Sequence, residues 1–379
     1  MNRRDVLGVL GAAGVAGYAP AAAAAAEPGA AAGEVVLGQS AIITGPLGAP
    51  IKALNAGAQM AFDAVNAQGG VHGRRIRVVT LDDELAPPKA VENYRKLLDE
   101  RGVVAMFGCV GSGTTAAAAK LLQDHGCASV GGFAVADSAR AKAAGHAFFV
   151  RASTGREAEV LVRQLDTIGI TRIAVAHLDN PGGAEALALV TKAMTSMGAK
   201  PIASGGLKGD GSNVDQLGKD LAAQQPQAVI MYLAGRGPAD LMSAMRKAGS
   251  NPMFYGMSIV AGEVVAKMLG EKARGLAIAQ VVPYPWSSVD PDLQAYHRAL
   301  QQAKVEPSYY SAEGWLNAQV MIEGLRRAGR ELTRARLLAV MRTLKMRLAG
   351  VDLDFNAGNI AASRFVELVQ VRYDGKFVR

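Results

Sequence analysis

Cysteine, histidine and aromatic residues are all scarce in this chain, and each scarcity narrows what it can do. Two cysteines and five histidines among 379 residues are too few for a Cys/His metal cluster. No His-Glu-x-x-His or Gly-x-Ser-x-Gly run accompanies them. His72, His125, His146, His177 and His297 are scattered through expected turns, helices and strand ends. Cys109 follows one expected strand and Cys127 opens the next, with a helix between. A right-handed crossover puts such positions at opposite edges of the sheet, beyond the ~7 Å Cα reach of a disulfide, so both are expected to be reduced. The acids Asp82, Asp83 and Glu84 follow a strand and read as loop or helix-capping groups. No metal site, cofactor or catalytic constellation is expected, and the chain reads as a non-enzyme.

The charge surplus is small as well. Lys and Arg exceed Asp and Glu by 8. The densest basic stretch, Arg326, Arg327, Arg330, Arg334, Arg336, Arg342 and Arg347, lies on two expected helices with apolar residues between. A nucleic-acid surface would interleave aromatic residues on one exposed face. This pattern is that of solvated helix faces, and no nucleic-acid partner is expected.

The first 26 residues hold the one long apolar run. Arg3-Arg4 precede Val6-Leu7, an Ala/Gly-rich segment and the alanines Ala21 to Ala26. A charged start, an apolar middle and small residues at the end make an export signal, with a twin-arginine flavour and cleavage near Ala26-Glu27. The run contains Pro20 and is weakly hydrophobic, which argues against a membrane anchor. Its removal leaves 353 residues with a net charge of +7, enough for two domains with cores of their own. With no second long apolar run, the mature chain is expected to be a soluble periplasmic protein.

That remainder alternates strand and helix. Strands are expected at residues 35–40, 75–82, 103–107, 128–130, 148–151, 172–177, 201–205, 228–231, 253–256 and 276–281, with helices between them. This is the rhythm of parallel, doubly wound α/β sheets, and it occurs in two blocks. Beyond Val282 three helices and two short strand regions, 352–355 and 364–373, close the chain. Apolar crossings at 148–151 and 278–283, and a third in the C-terminal strands, predict a hinge between two lobes, with a ligand cleft between them.

The segment Gly57–Asp83 is more specific. An amphipathic helix carrying Met60, Ala64 and Val65 stops at Gly69-Gly70, and a strand with Ile76, Val78, Val79 and Leu81 follows. The wording N-x-x-G-G-V-x-G-R-x-I-x-V-x-x-x-D-D from Asn66 to Asp83, continued by Pro87, Pro88 and Ala90, resembles the type I periplasmic solute-binding proteins of the branched-chain amino acid ABC transporter class. That resemblance implies two Rossmann-like lobes joined by a three-strand hinge that closes on a ligand. It divides the chain into residues 34–150 plus 283–355 for the first lobe and 151–282 plus 356–379 for the second.

The loop Gly108 to Thr115 follows a strand and opens a helix, with Gly111, Ser112, Gly113 and Thr114 at the turn. Small residues there expose backbone N–H groups at a positive helix end, and Ser112 and Thr114 add hydroxyls. Capping alone would also explain a Ser or Thr here. No Gly-Lys-Ser/Thr is present, so a nucleotide phosphate is disfavoured. In the family this loop holds the ligand carboxylate, and Ser112 matches its hydroxyl residue.

Phe133, Ala134 and Val135 in the next loop match amino-acid binders of the family only at Ala134. Where those binders place an aromatic in the second lobe, this chain has Gly182; where they place the acid that pairs with the α-ammonium, it has Ser258. Tyr310 aligns with a family aromatic near the pocket, and Arg236 could fork to a second acidic group. A buried ammonium without a carboxylate is costly, so the chain is expected to favour a carboxylate-bearing ligand, an amino acid or an aromatic or aliphatic acid lacking the amino group. The expected partners are that small molecule and an inner-membrane ABC permease, with the protein monomeric. A sensory binding protein and a hydrolase built on Ser112 are the competing readings, and the second lacks a nearby base.

Overall fold

The structure is a computed structural model that describes residues 33–45, 48–356 and 358–379; the expected export signal lies outside them. Strand β1 (Glu34–Ala41) pairs in parallel with β2 (Arg75–Asp82) along its whole length, so helix α1 (Gly48–Ala67) crosses between them. Ile51, Leu54, Ala58, Ala61 and Val65, three or four apart, give α1 its buried face. The Asn-x-x-Gly-Gly motif makes the return. Gly70 has φ 76°, its N–H donates to Val65 O at 2.9 Å, and a Cβ there would meet Arg74 O at 2.0 Å. The Asn66 amide then pairs with both the N–H and the carbonyl of Ile76, at 2.7 and 2.9 Å, fixing where β2 begins.

The first sheet adds β3 (Ala105–Val110), β4 (Ser129–Phe133) and β5 (Ala147–Phe148) in the order β2-β1-β3-β4-β5, all parallel. Its remaining crossovers are α2 (Pro87–Arg95), prolonged by a π turn at Lys96–Glu100, then α3 (Ser112–Asp124) and α4 (Asp137–Lys142). The second sheet has a parallel part, β6 (Ile173–Leu178), β7 (Ala203–Leu207), β8 (Ala228–Tyr232), β9 (Met253–Gly256) and β10 (Ala277–Gln280), in the order β7-β6-β8-β9-β10. Helices α5 (Thr154–Thr167), α6 (Pro181–Thr195), α7 (Val214–Ala223), α8 (Gly237–Lys247) and α9 (Gly262–Leu269) serve it.

The chain then returns to the first sheet as α10 (Pro291–Ala303), α11 (Tyr309–Ala328) and α12 (Arg334–Met341), followed by the hairpin β11 (Lys345–Leu348) and β12 (Val351–Asp354). Finally β13 (Glu367–Val371) and β14 (Phe377–Val378) add an antiparallel edge beyond β10. The fold is therefore α/β with two lobes, and the chain passes between the sheets three times.

Helix α11 packs along α1 at a glycine contact. A Cβ on Gly57 would lie 1.9 Å from Ser311 O, and one on Gly314 equally close to Leu54 O, so two backbones touch where side chains would hold them apart. Three elements were not expected from sequence. Helix α4 is too short to show a period, β11 carries Lys345 and Arg347, and β14 is two residues long. The expected strand at 148–151 stops at Phe148, because the Phe149 carbonyl accepts from Ala362 N–H at 2.8 Å, on the third crossing. Cys109 and Cys127 are both free and buried, and burial pushes both thiols up to about 11. Among the described residues no helix is long and apolar enough to cross a membrane.

Candidate functional site

Strands β3, β4, β6 and β8 run out at their C-terminal ends toward the gap between the lobes, the usual place for a ligand in α/β sheets. Their loops enclose a cavity of about 330 Å³, at the small end of the ~300–1,000 Å³ typical of ligand sites. Leu85, Pro87, Gly111 to Thr114 and Ala134 line it from the first lobe, and Leu178, Asn180 to Gly182, Tyr232 and Ile259 from the second. Five residues singled out from sequence, Gly111, Ser112, Thr114, Ala134 and Gly182, thus meet in one place.

The two lobes present matching features there. Gly111, at φ 87°, turns the chain into α3, whose first N–H groups have no intrahelical partner. The Ser112 hydroxyl accepts from Ala136 N–H at 2.9 Å, while its own proton has only the Ala134 carbonyl at 3.5 Å. That proton is available to a ligand. The Thr114 hydroxyl is not, because it turns back onto the Val110 and Gly111 carbonyls. Across the cavity, Asn180 caps α6 by accepting from Gly183 N–H at 2.9 Å, with Pro181 opening the helix. The two helix ends nearly touch: a Cβ on Gly182 would lie 3.2 Å from the Ser112 hydroxyl.

Apart from Asn180 the rest of the lining is apolar, and among the described residues no Asp, Glu, Lys, Arg or His lines the cavity. Tyr232 supplies the remaining hydroxyl. Burial, and secondarily Glu157, pushes its phenol up to about 12, so it stays a neutral donor. Tyr232 was missed in the sequence because the strand extends one residue past its expected end, carrying the ring into the cleft. Leu85 and Ala134 hold positive φ, 57° and 53°, unusual for residues with a Cβ. The buried Asp83 carboxylate fixes the first of these by accepting from Leu85 N–H at 3.0 Å and from the Ser40 hydroxyl at 2.8 Å. The paired acids are loop supports, as their position after a strand suggested.

Phe133, Ser258 and Tyr310 gather elsewhere, around Arg151 on the first crossing. The Arg151 guanidinium bonds Glu313 of α11 at 3.2 Å and the Ser258 hydroxyl, and lies 3.6 Å from Glu157 of α5. Ser258 gives its N–H and hydroxyl to the Glu157 carboxylate at 2.6 and 2.9 Å. The guanidinium stacks 5.2 Å from the centre of the Phe133 ring, which packs edge-on against Tyr310 at 5.6 Å. Burial raises both carboxyls against the pull of Arg151. It also works against the Arg151 cation, yet Glu313 and Glu157 hold that cation above its ordinary range. These three predicted residues therefore wall a buried ionic cluster joining the lobes, and none of them lines the cavity.

Two further expectations fall outside both groups. The Val135 side chain is buried in the first lobe's core, and its carbonyl accepts from Arg140 at 2.9 Å. Arg236 forks to Asp240 one helical turn on, at 2.7 and 3.1 Å, with 75% of its side chain exposed. A charge already paired on the surface has no reason to turn inward.

Residues 34–376 match the family model described as periplasmic binding protein. The Leu/Ile/Val-binding protein of Escherichia coli (strain K12) is 24% identical over 60% of this chain and 62% of its own length, so the chain spans less than two thirds of that relative. An extracellular ligand-binding receptor from Verminephrobacter eiseniae superposes with a TM-score of 0.84 at 27% identity, covering 91% of this chain and 100% of that one. A solute-binding protein of an ABC transporter from R. palustris, in complex with benzoate, superposes at 0.80 with 19% identity over 91% and 95%. The chain belongs to the periplasmic binding protein family.

Proposed function

We propose that this chain is the periplasmic substrate-binding component of an ABC importer and that its ligand is a small monocarboxylate with an apolar body. The observation carrying this reading is the uneven chemistry of the cavity. Two features there suit an anion: the open N-terminus of α3, and the Ser112 hydroxyl, whose proton has only a long 3.5 Å bond to the Ala134 carbonyl. The remaining walls are Leu85, Pro87, Leu178, Pro181 and Ile259. An α-ammonium would be buried there without a carboxylate partner, which is costly. An aromatic or aliphatic acid lacking the amino group meets no such cost. The R. palustris protein holds benzoate in the same fold, so the architecture accommodates acids of this kind.

The ligand binds between the lobes, which close by hinge motion about the three crossings, and the closed form is delivered to a membrane permease. Residues 34–150 with 283–355 act as one lobe and 151–282 with 356–379 as the other. The parallel sheets and the packing of α11 on α1 support that division. No chemistry is done on the ligand.

The test is thermal unfolding of the mature protein with paired ligands, amino acids against their deaminated acids. A ligand at ~1,000 times its Kd adds about 4 kcal/mol of folded-state stability. Stabilisation by the acids and not by the amino acids is the expected result. The opposite order would return the chain to amino-acid transport.

A further inference from the structure

The positive charge of the chain is gathered at one end of the first lobe. Residues 320–347 hold eight Lys and Arg against two Glu, an excess of six where the whole chain has eight. Along the sequence these belong to separate helix faces, but the fold lays them along a single edge. Arg74, just before β2, donates to the Arg330 carbonyl at 2.8 Å. Arg334 of α12 donates to the Val103 carbonyl, before β3, at 2.9 Å. Arg342 donates to the Gly145 carbonyl, before β5, at 2.9 Å. The segment therefore runs under the starting ends of the first sheet from β2 to β5, roughly 20 Å at about 4.8 Å per strand. The ligand cavity lies at the opposite, C-terminal ends of that sheet.

Little in the protein neutralises this band. Among the described residues, no carboxylate pairs with Arg74, Arg75, Arg330 or Arg342. Arg327, Arg336, Lys345 and Arg347 do have acidic partners, yet their side chains stay 44%, 52%, 62% and 64% exposed. Pairs so open to water are weak and yield to a competing anion. A guanidinium has five N–H donors and the carbonyl bond of Arg74 uses one, so a phosphate can still be met by a fork of two. No Phe, Tyr or Trp lies among residues 320–347, which leaves the band without the stacking platforms of a nucleic-acid surface. We propose that this edge is a docking surface for an anionic phospholipid membrane, on which the protein rests with its cavity turned away from the lipid. Each Lys or Arg held near such a bilayer adds about fivefold in affinity, and clusters of four to eight are enough to localise a protein there. This goes beyond the importer reading and does not depend on the ligand.

The experiment is co-sedimentation of the mature chain with vesicles of equimolar phosphatidylglycerol and phosphatidylcholine, and with vesicles of phosphatidylcholine alone. Binding to the anionic vesicles is expected at about 0.1 M salt and its loss at about 1 M, as the Debye length shrinks from about 10 to 3 Å. Replacing Arg330, Arg336, Lys345 and Arg347 together by Gln should weaken that binding at least about a hundredfold. A control replaces Arg163, Lys200, Lys219 and Lys247 of the second lobe by Gln, which removes the same charge. All eight side chains are exposed. The control should stay within about threefold of the natural chain, because its charges lie beyond a Debye length from the docked edge. Should the first variant fail to fold, Lys345→Gln with Arg347→Gln is expected to lose roughly twentyfold. Equal losses in variant and control, equal binding to both kinds of vesicle, or no binding to the anionic vesicles at the lower salt would overturn the proposal. So would tighter binding to duplex DNA or to polyglutamate than to the anionic vesicles.

Discussion

Replacing Arg151 with Met should cost this protein more than any other single cavity-neutral change, and the cost should depend on pH. The guanidinium is 5% exposed and lies against two carboxylates with 4% and 7% exposure, Glu157 and Glu313. Removing one member of a buried ion pair destabilises by about 3–5 kcal/mol, because the other is left charged and unsolvated. Here two are left. At roughly 2–4 °C per kcal/mol for lobes of this size, Tm should fall by roughly 6–20 °C. The orphaned carboxyls would then titrate well above the ordinary 4.5. Above that pH the folded state holds protons the unfolded chain has released, so the loss grows as pH rises and shrinks toward about pH 5. Urea unfolding at about pH 7.5 and about pH 5 reads both terms. The double variant Arg151→Met, Glu313→Gln should recover part of the loss at the higher pH. A loss under about 1 kcal/mol, equal at both pH values, would refute the view that Arg151 neutralises this cluster.

Other consequences are equally direct. Ser112→Ala removes a donor to a charged group, worth about 1.5–3 kcal/mol, and should weaken acid binding at least roughly tenfold by calorimetry. Arg236→Gln, on a surface charge paired with Asp240, should leave affinity unchanged; a clear loss would bring that arginine back into the site. Gly57→Ala forces a carbon to within 1.9 Å of the Ser311 carbonyl and should lower stability by about 1–3 kcal/mol as α1 and α11 are pushed apart. His146, whose Nε2 faces Arg342 at 3.2 Å, has its pKa lowered by burial and then by that arginine. Folded protein binds this proton less readily than unfolded, so stability should decline as pH drops below about 6.5, and His146→Gln should flatten that slope in a Tm-against-pH series. Cys109 and Cys127 should resist alkylation at about pH 8 until the chain is unfolded.

What could be read from the sequence depends on whether the information was local. The Asn66 to Asp83 return is held by contacts among near neighbours, such as Asn66 with Ile76 and Gly70 with Val65, and its wording led straight to the family. The Gly111-Ser112 turn was legible for the same reason, since a strand-loop-helix junction of small residues leaves the first N–H groups of its helix open. Helix α4 and strand β14 were too short to carry a period. The hinge cluster was invisible because its members lie far apart in the chain. Arg151 meets Glu313 across 162 positions and Ser258 across 107.

That distance in sequence also explains the split among the residues chosen as ligand contacts. Position in the sequence marks Phe133, Ser258 and Tyr310 as facing the cleft, and in the structure they surround Arg151 instead. Position could not reveal that Arg151 fills the space between them. A cluster containing Arg140, Arg151, Glu157 and Glu313 balances its own charge behind the cavity wall. Among the described residues, the cavity itself is left without an ionised side chain. A neutral wall backed by a self-paired cluster offers an arriving carboxylate only helix ends and hydroxyls. Those groups lose little of their own solvation on binding, whereas an arginine in the same place would lose much more. On the proposed monocarboxylate reading, a site of that kind discriminates by whether the ligand brings a second charge. On that reading the unpaired ammonium of an amino acid is the obstacle, and the deaminated counterpart carries none.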